Sequence, residues 1–365
     1  MKITFIAPFF HPVQGGMENH ILNLALELKK RGHNITVLTS NLSRNKKIKV
    51  KEEIYKNIKI KRFDSWFKIG DFGSFFPCVF IESIKSKGIL HIHAYRHPSN
   101  LAVFLNKKTI ITPHWPNYPK GLRKKWLEFM ISVYDKTIGK LILKKSRCIL
   151  AVSEPEINWL KNEFRLRRIK LIPNGIPKDY LRQRNKFSFK KKYNIKGKTV
   201  LYFGRIHKSK GIDQLIKVSK YFPKVNFIIM GNGPELNNLK LLSKNNNNIK
   251  FITGRITDEE KLEAFSAADV FIHPSHYDAF GITLLEAFSQ GCPVIATDKG
   301  GLPWVVGSAG LIFRDNDIND LKTKLEYILI NKRIRDSLSI KAKERAKDFT
   351  WDKIAINLEK IYKEI

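Results

Sequence analysis

The chain has 365 residues, 67 Lys and Arg against 33 Asp and Glu, and three cysteines. That length admits two domains with separate cores, and 43% hydrophobic against 27% charged residues excludes a disordered chain. The net charge of +34 is uneven, residues 1–200 carrying +29 of it, which favours an anionic partner for the first half: membrane lipid, nucleic acid or a phosphorylated acceptor.

The opening MKITFIAPFF has too short an apolar run and no small-residue cleavage site, and reads as a first strand rather than a signal peptide. No run reaches the roughly 20 apolar residues that span a bilayer. Cys78, Cys148 and Cys292 lack metal or redox spacing and read as reduced, buried thiols of a cytoplasmic protein. Lys2–Pro8 is the first strand. Leu22, Leu24, Ala25 and Leu28 then fall at helical spacing, and Gly32 ends that helix before a strand over Ile35–Thr39. This is a βαβ unit, the building block of a parallel sheet. Gly15 and Gly16 lie between its strand and helix, where they serve either a plain turn or a phosphate approaching backbone N–H groups.

Strands are expected at Ile58–Arg62, Gly88–His93, Thr109–Thr112, Cys148–Val152 and Ile169–Ile172. Several end in polar residues, with His93 closing one, His114 after another and Ser153 after a third. Ligands of open α/β sheets collect at the carboxyl ends of strands, so these endings point to one crevice, although a histidine there can be purely structural. Residues 119–147 form a basic amphipathic helical region. Trp126, Leu127, Phe129, Met130 and Val133 share one side, preceded by Lys120, Arg123, Lys124 and Lys125. Such a helix either lies on an anionic membrane surface or turns its apolar face to the core. The polar, basic stretch 177–198 reads as a domain boundary.

A second βα series runs through Thr199–Phe203, Asn226–Met230, Lys250–Ile252, Val270–His273 and Pro293–Thr297. Arg205 and Lys210 straddle the loop after its first strand, where they are either solvated surface cations or the pair that neutralises a departing diphosphate. Residues 229–234 (IMGNGP) begin like a dinucleotide fingerprint, but Leu236 fills its third glycine position. A nicotinamide site is therefore rejected in favour of a tight strand-to-helix turn. No Walker loop, HExxH, GxSxG or Cys/His metal cluster is present.

The most informative stretch is 268–306. There a strand runs into a turn, a helix opens at Phe280, Gly281 and Ile282, and Asp278 and Glu286 lie eight positions apart. A helix N-terminus suits phosphate, whereas carboxylates around it suit hydroxyls. Together they indicate a nucleotide sugar. The last helix, over 350–365, keeps Trp351, Ile354, Leu358, Ile361 and Tyr362 on one face, which must pack on another element.

The motifs PVQGGME (12–18), His91–Ala94, TPH (112–114), VSE (152–154) and PNGI (173–176) are followed by Gly204-Arg205, Lys210-Gly211, 231–234, 274–287 and 296–301. In that order they resemble the retaining glycosyltransferases of family 4, along nearly the whole chain. The resemblance implies the α/β fold called GT-B, two Rossmann-like domains facing across a cleft. Residues 1–180 would form an acceptor-binding domain, with the helix 350–365 packing back on it, and 181–349 a donor-binding domain. It implies transfer of a hexosyl unit from a UDP- or GDP-linked sugar, with retention and without a metal or cofactor. The expected acceptor is a lipid-linked molecule or glycan at the cytoplasmic membrane face. A soluble acceptor, or a non-enzymatic nucleic-acid binder on this scaffold, are the alternatives; nucleic acid is not the expected partner.

By the same resemblance, Gly15 and Gly16 line the diphosphate side of the cleft, and His114 contacts the donor sugar. Arg205 and Lys210, beside Gly204, take the leaving diphosphate, and the Arg255 region flanks the base. Glu286 holds the ribose hydroxyls, and Phe280, Gly281, Ile282 and Thr283 offer backbone N–H groups to sugar and phosphate. Asp278 departs from the family's E-x7-E motif by one methylene at its first carboxylate.

Overall fold

The computed structural model describes residues 1–13, 15–43, 46–68, 74–114 and 124–365. Within these the chain divides into two compact units, Met1–Asn174 with Trp351–Ile365, and Gly175–Thr350.

Apolar runs in the first unit form strands β1 (Lys2–Ala7), β2 (Asn34–Ser40), β3 (Glu52–Tyr55), β4 (Ile58–Phe63), β7 (Ile89–His93), β8 (Thr109–Thr112), β9 (Cys148–Ala151) and β10 (Ile169–Leu171). A separate two-stranded ribbon holds β5 (Phe67–Lys68) and β6 (Ser74–Phe75). The main sheet is ordered β10-β9-β8-β7-β1-β2-β4-β3 and is parallel except for β3, which pairs antiparallel with β4. Every residue of β7, β8 and β9 is buried, as in a parallel sheet covered on both faces, so these strands do not alternate between apolar and solvated residues. The edge strand β3, with its polar sequence, gave no such signal.

One face of this sheet is covered by the helix Gly16–Lys30, whose Ile21, Leu24, Ala25 and Leu28 are buried. Leu22, expected in that core, is only partly buried, because the buried stripe passes through Ile21 instead. The helix Trp351–Lys363 completes the same cluster with Trp351, Ile354, Leu358, Ile361 and Tyr362. Its apolar face therefore packs back on the first unit. Cys78 begins the helix Cys78–Lys85 and is exposed, so the expectation of three buried thiols holds only for Cys148 and Cys292.

The basic amphipathic region is helical from Lys125 to Lys145, with a π-helical turn over Asp135–Gly139. Asp135 is clamped there by the Arg96 guanidinium at 2.9 and 2.5 Å. The segment Lys125–Tyr134 has no buried residue, and Trp126, Phe129 and Met130 are 64%, 68% and 56% exposed. A core-facing role for this side is thereby excluded. Lys120, Arg123 and Gln14 lie outside the described residues.

The second unit has β11 (Thr199–Phe203), β12 (Asn226–Met230), β13 (Ile249–Ile252), β14 (Val270–His273), β15 (Val294–Thr297) and β16 (Gly310–Phe313), all parallel, in the order β13-β12-β11-β14-β15-β16. Numbered from one, that is 3-2-1-4-5-6, the order of dinucleotide-binding sheets. Its direction of winding reverses between β11 and β14.

The stretch 177–198 is part of this unit rather than a linker. Tyr180 is buried, the Gln290 amide donates to its carbonyl at 2.6 Å, and the Tyr193 hydroxyl donates to Glu260 at 2.5 Å. The Ile176 N–H bonds Phe349 O at 2.8 Å. The crossings therefore fall after Asn174 and Thr350, not after residues 180 and 349.

Candidate functional site

The second sheet reverses its winding between β11 and β14, and folds of this order place their ligands beyond the carboxyl ends of such a pair. The chain leaving β11 carries Gly204, Arg205 and, in a short 3₁₀ turn, Lys210. The chain leaving β14 carries His273 and Asp278, then the helix Ile282–Ser289. The neighbouring pair β11 and β14 thus brings the residues of both motifs to one edge.

Asp278 is the hub of that edge. Its Oδ2 accepts from Lys210 Nζ at 2.7 Å and from His273 Nε2 at 3.2 Å. Its Oδ1 accepts from the backbone N–H groups of Gly281 at 3.2 Å and Phe280 at 3.4 Å. Burial pushes the Asp278 carboxyl up, but the Lys210 charge and the His273 bond outweigh it and hold the group far below the usual carboxylate range. Burial holds His273 below its ordinary value against the pull of Asp278. A neutral ring protonated on Nε2 fits both its contacts, since Nδ1 can then accept from Thr283 Oγ1 at 3.3 Å.

This geometry corrects one expectation. Phe280 and Gly281 do not offer their N–H groups to a ligand, because Asp278 already takes both in the turn that precedes the helix. Such a turn suits Asp, whose short side chain can bond the backbone two and three residues on. The N–H groups of Ile282 and Thr283 make no hydrogen bond among the described residues, so the anion-binding end of this helix is narrower than expected. The turn needs two glycines. Gly281 has φ +82°, and a Cβ on Gly300 would stand 2.0 Å from the Asp278 carbonyl.

The cations differ in state. Arg205 is exposed, and its guanidinium has no hydrogen-bond or ion-pair partner among the described residues. Lys210 is tied to Asp278. Arg255 is also exposed and follows Gly254 in the loop after β13, at the same edge of the sheet. Asn232 ties that loop to the one after β12, donating to Gly254 O at 2.8 Å. The glycine turn 231–234 accordingly works as a tight turn, its Ile206–Asn232 backbone bond measuring 2.8 Å.

Glu286 sits one turn inside the helix and is nearly buried. Its Oε1 accepts from Lys261 Nζ at 2.8 Å, and its other oxygen has no hydrogen bond among the described residues. Lys261 and His273 were not singled out from the sequence. Lys261 hides in the charged run DEEKLE, where a lysine reads as solvated, and His273 reads as the end of a buried strand.

The first unit repeats the topology, with its reversal between β1 and β7. Gly15 caps the helix Gly16–Lys30, and the space a Gly16 side chain would fill is open. Here four imidazoles gather. His93 Nδ1 meets His114 Nε2 at 3.2 Å, and His20 meets Asn174 Oδ1 at 2.6 Å. His91 bonds the Tyr362 hydroxyl at 2.6 Å and Thr112 Oγ1 at 2.7 Å. His114 holds the left-handed conformation, φ 57°. Ring nitrogens of His20, His93 and His114 lie within 4.8 Å of one another, close enough to share a metal ion, although one pair is already joined by the His93–His114 contact. Burial lowers all four: His20 is pushed down to about 4, and His91, His93 and His114 well below their ordinary value.

Two α/β units, the second with the winding order of dinucleotide-binding sheets, make the architecture of the GT-B glycosyltransferases. Residues 14–180 match the family model described as Glycosyltransferase Family 4, and 183–345 match the one described as Glycosyl transferases group 1. The chain belongs to glycosyltransferase family 4. It is 27% identical to an uncharacterised glycosyltransferase of Methanocaldococcus jannaschii, over 100% of this chain and 99% of that one. It is 24% identical to a phosphatidyl-myo-inositol mannosyltransferase of Mycolicibacterium smegmatis, over 100% and 94%. The structure of Anabaena HepE in complex with UDP-glucose superposes over the full length of both chains, with a TM-score of 0.77 and 16% identity.

The histidines make stability depend on pH. Their folded values lie below the unfolded value of about 6.5, so below that pH the unfolded chain binds protons that the folded chain refuses. Stability is then lost as pH falls from about 6.5 towards 4, by roughly 1.4 kcal/mol per pH unit for each neutral imidazole. Urea denaturation at pH 7.5 and 5.5 should show this loss, with a smaller loss in a His91→Asn variant; equal pH sensitivity in both proteins would contradict it.

Proposed function

We propose that this glycosyltransferase moves a hexosyl unit, with retention, from a UDP- or GDP-linked donor to a lipid-linked or glycan acceptor at the cytoplasmic membrane face. The observation that carries the donor half is the β11–β14 edge. An Arg205 guanidinium, two helix N–H groups and one Glu286 oxygen that have no partner among the described residues lie there with the Lys210 ammonium. Cations and N–H groups suit a diphosphate, and Glu286 suits a ribose diol.

In this reading Arg205 and Lys210 stabilise charge on the diphosphate as the anomeric C–O bond breaks. The acceptor hydroxyl forms the new bond on the face the diphosphate leaves, and its proton passes to a phosphate oxygen of the leaving group. Asp278 orders the turn and aims Lys210. The N–H groups of Ile282 and Thr283 bind phosphate or sugar, and the Arg255 loop flanks the base. Gly204 lets the chain leave β11 close to the diphosphate. His114, kept neutral by burial, offers a ring nitrogen to the sugar hydroxyls, and Gly15 and Gly16 leave room for a phosphate. Two protein cations supply the charge that a divalent ion supplies in other transferases, so the reaction proceeds without one.

The acceptor half rests on the helix Lys125–Tyr134. Its exposed Trp126, Phe129 and Met130, with Lys124 and Lys125 at its start, form an apolar face with a cationic end. That combination suits an anionic lipid surface. Among the described residues no helix is long and apolar enough to cross a membrane, so attachment would be peripheral.

Two measurements test these halves. With a panel of UDP- and GDP-hexoses, the protein should release nucleoside diphosphate slowly without acceptor and in the presence of EDTA. Arg205→Ala and Lys210→Ala should each lower that rate by roughly 100-fold or more; Arg205→Ala should melt near the wild type, whereas Lys210→Ala should melt lower because it strands the Asp278 carboxylate. Unchanged rates in both would remove the leaving-group role. Sedimentation with anionic vesicles should exceed that with neutral ones at low salt, and fall in a Trp126→Ala/Phe129→Ala/Lys125→Ala variant. Equal pelleting of variant and wild type would refute the membrane face.

A further inference from the structure

Lys261 raises a question that the donor site alone does not answer. It lies in the helix Asp258–Ala267 and is 7% exposed, an unusual position for an ammonium. Its Nζ has three oxygen partners: Glu286 Oε1 at 2.8 Å, Asp258 Oδ1 at 2.9 Å and the Tyr180 hydroxyl at 3.4 Å. Below it lies the Tyr180 ring, 5.0 Å from Nζ to the centroid, and the Phe203 ring is 5.8 Å away. Asp258 is largely in solvent, so the buried ion pair is with Glu286.

A buried ion pair contributes little net stability, since each ion must be desolvated and a well-packed apolar pair is often as stable. The pairing does determine how Glu286 stands. Burial would push the Lys261 ammonium down, but Glu286, with Tyr180 and Asp258, holds it above its usual range, so it stays charged. One oxygen of the carboxylate is then fixed, and with it the side-chain rotamer. The other oxygen has no protein partner among the described residues, and a single carboxylate oxygen has two lone pairs, enough for two adjacent hydroxyls.

We propose that Lys261 is the positioning residue of the donor site: by locking one oxygen of Glu286 it presents the other to the vicinal diol of the donor's ribose. This rests on the reading that Glu286 binds ribose. Lys261 touches no reacting atom, and its effect belongs to donor binding and to discrimination of ribose from 2′-deoxyribose. A site built to bond a hydroxyl rejects the analogue that lacks it.

Calorimetry with UDP, GDP and their 2′-deoxy counterparts tests this on the full-length wild type, Lys261→Met, Lys261→Arg, Glu286→Gln and the Lys261→Met/Glu286→Gln double variant. The wild type should favour the ribonucleotide by roughly tenfold or more, the size of one or two lost hydrogen bonds. Lys261→Met should reduce that preference about as far as Glu286→Gln does, and the double variant should be no worse than either, because both changes disable one device. Donor hydrolysis should then show a raised KM with kcat changed by less than about threefold. Lys261→Arg keeps the charge, and its planar fork can engage both carboxylate oxygens. It should melt near the wild type and still lose ribose preference, an effect a merely structural lysine would not show. If Lys261→Arg and every folded Lys261→Met sample keep the wild-type preference, the proposal is overturned with the donor reading intact. A wild type that binds neither UDP nor GDP overturns both.

Discussion

The second unit depends on one contact, the Asp278 carboxylate closing on Lys210 across the point where the sheet reverses. Two loops that leave neighbouring strands would otherwise bring a cation, a histidine and a helix N-terminus together with nothing to fix their spacing. The carboxylate joins all three. It takes the lysine and the histidine on one oxygen and the turn leading into the helix on the other. Because the group is only partly exposed, the pair is less screened than a surface ion pair, and losing one partner would strand the other. The glycine at 300 belongs to the same device, since its missing side chain makes room for the Asp278 carbonyl.

Seen this way, Asp278 is more than a shortened glutamate. A glutamate at the start of this turn would carry its carboxylate one methylene farther out, to where a sugar could meet it. Aspartate pulls it back into the turn. In the proposed reading the donor finds its contacts around the carboxylate rather than on it: Arg205 and Lys210, the N–H groups of Ile282 and Thr283, and the second oxygen of Glu286. Two of the lysines nearest these groups, Lys210 and Lys261, are each already committed to a carboxylate of the motif. The ligand-free site is thus held together by its own charges.

Much of the fold was legible because buried parallel strands are short and mostly apolar, and the thirteen residues of β7, β8 and β9 are all buried. The edge strand β3 and the last strand β16 were not legible, being polar in one case and short with glycine in the other. The stretch 177–198 misled because its lysines suggested a solvated linker, while Tyr180, Phe189 and Tyr193 anchor it to the second unit. At the site, sequence order gave Arg205, Lys210, Asp278 and Glu286 but not their pairing, which exists only once β11 and β14 lie side by side. Lys261 was invisible for the same reason: its partner is 25 residues away on another helix. The exposed face of Lys125–Tyr134 was the opposite case, an open choice in the sequence that the structure decided against the core.

The central claim is that the β11–β14 edge is a diphosphate site. The most direct measurement is calorimetric binding of UDP against UMP, and GDP against GMP, to the wild-type protein across a range of salt concentrations. For the base the protein prefers, the diphosphate should bind at least about tenfold more tightly than the monophosphate. That advantage should shrink as salt rises, because part of it comes from the exposed Arg205. Equal affinity for mono- and diphosphate at low salt would contradict the assignment.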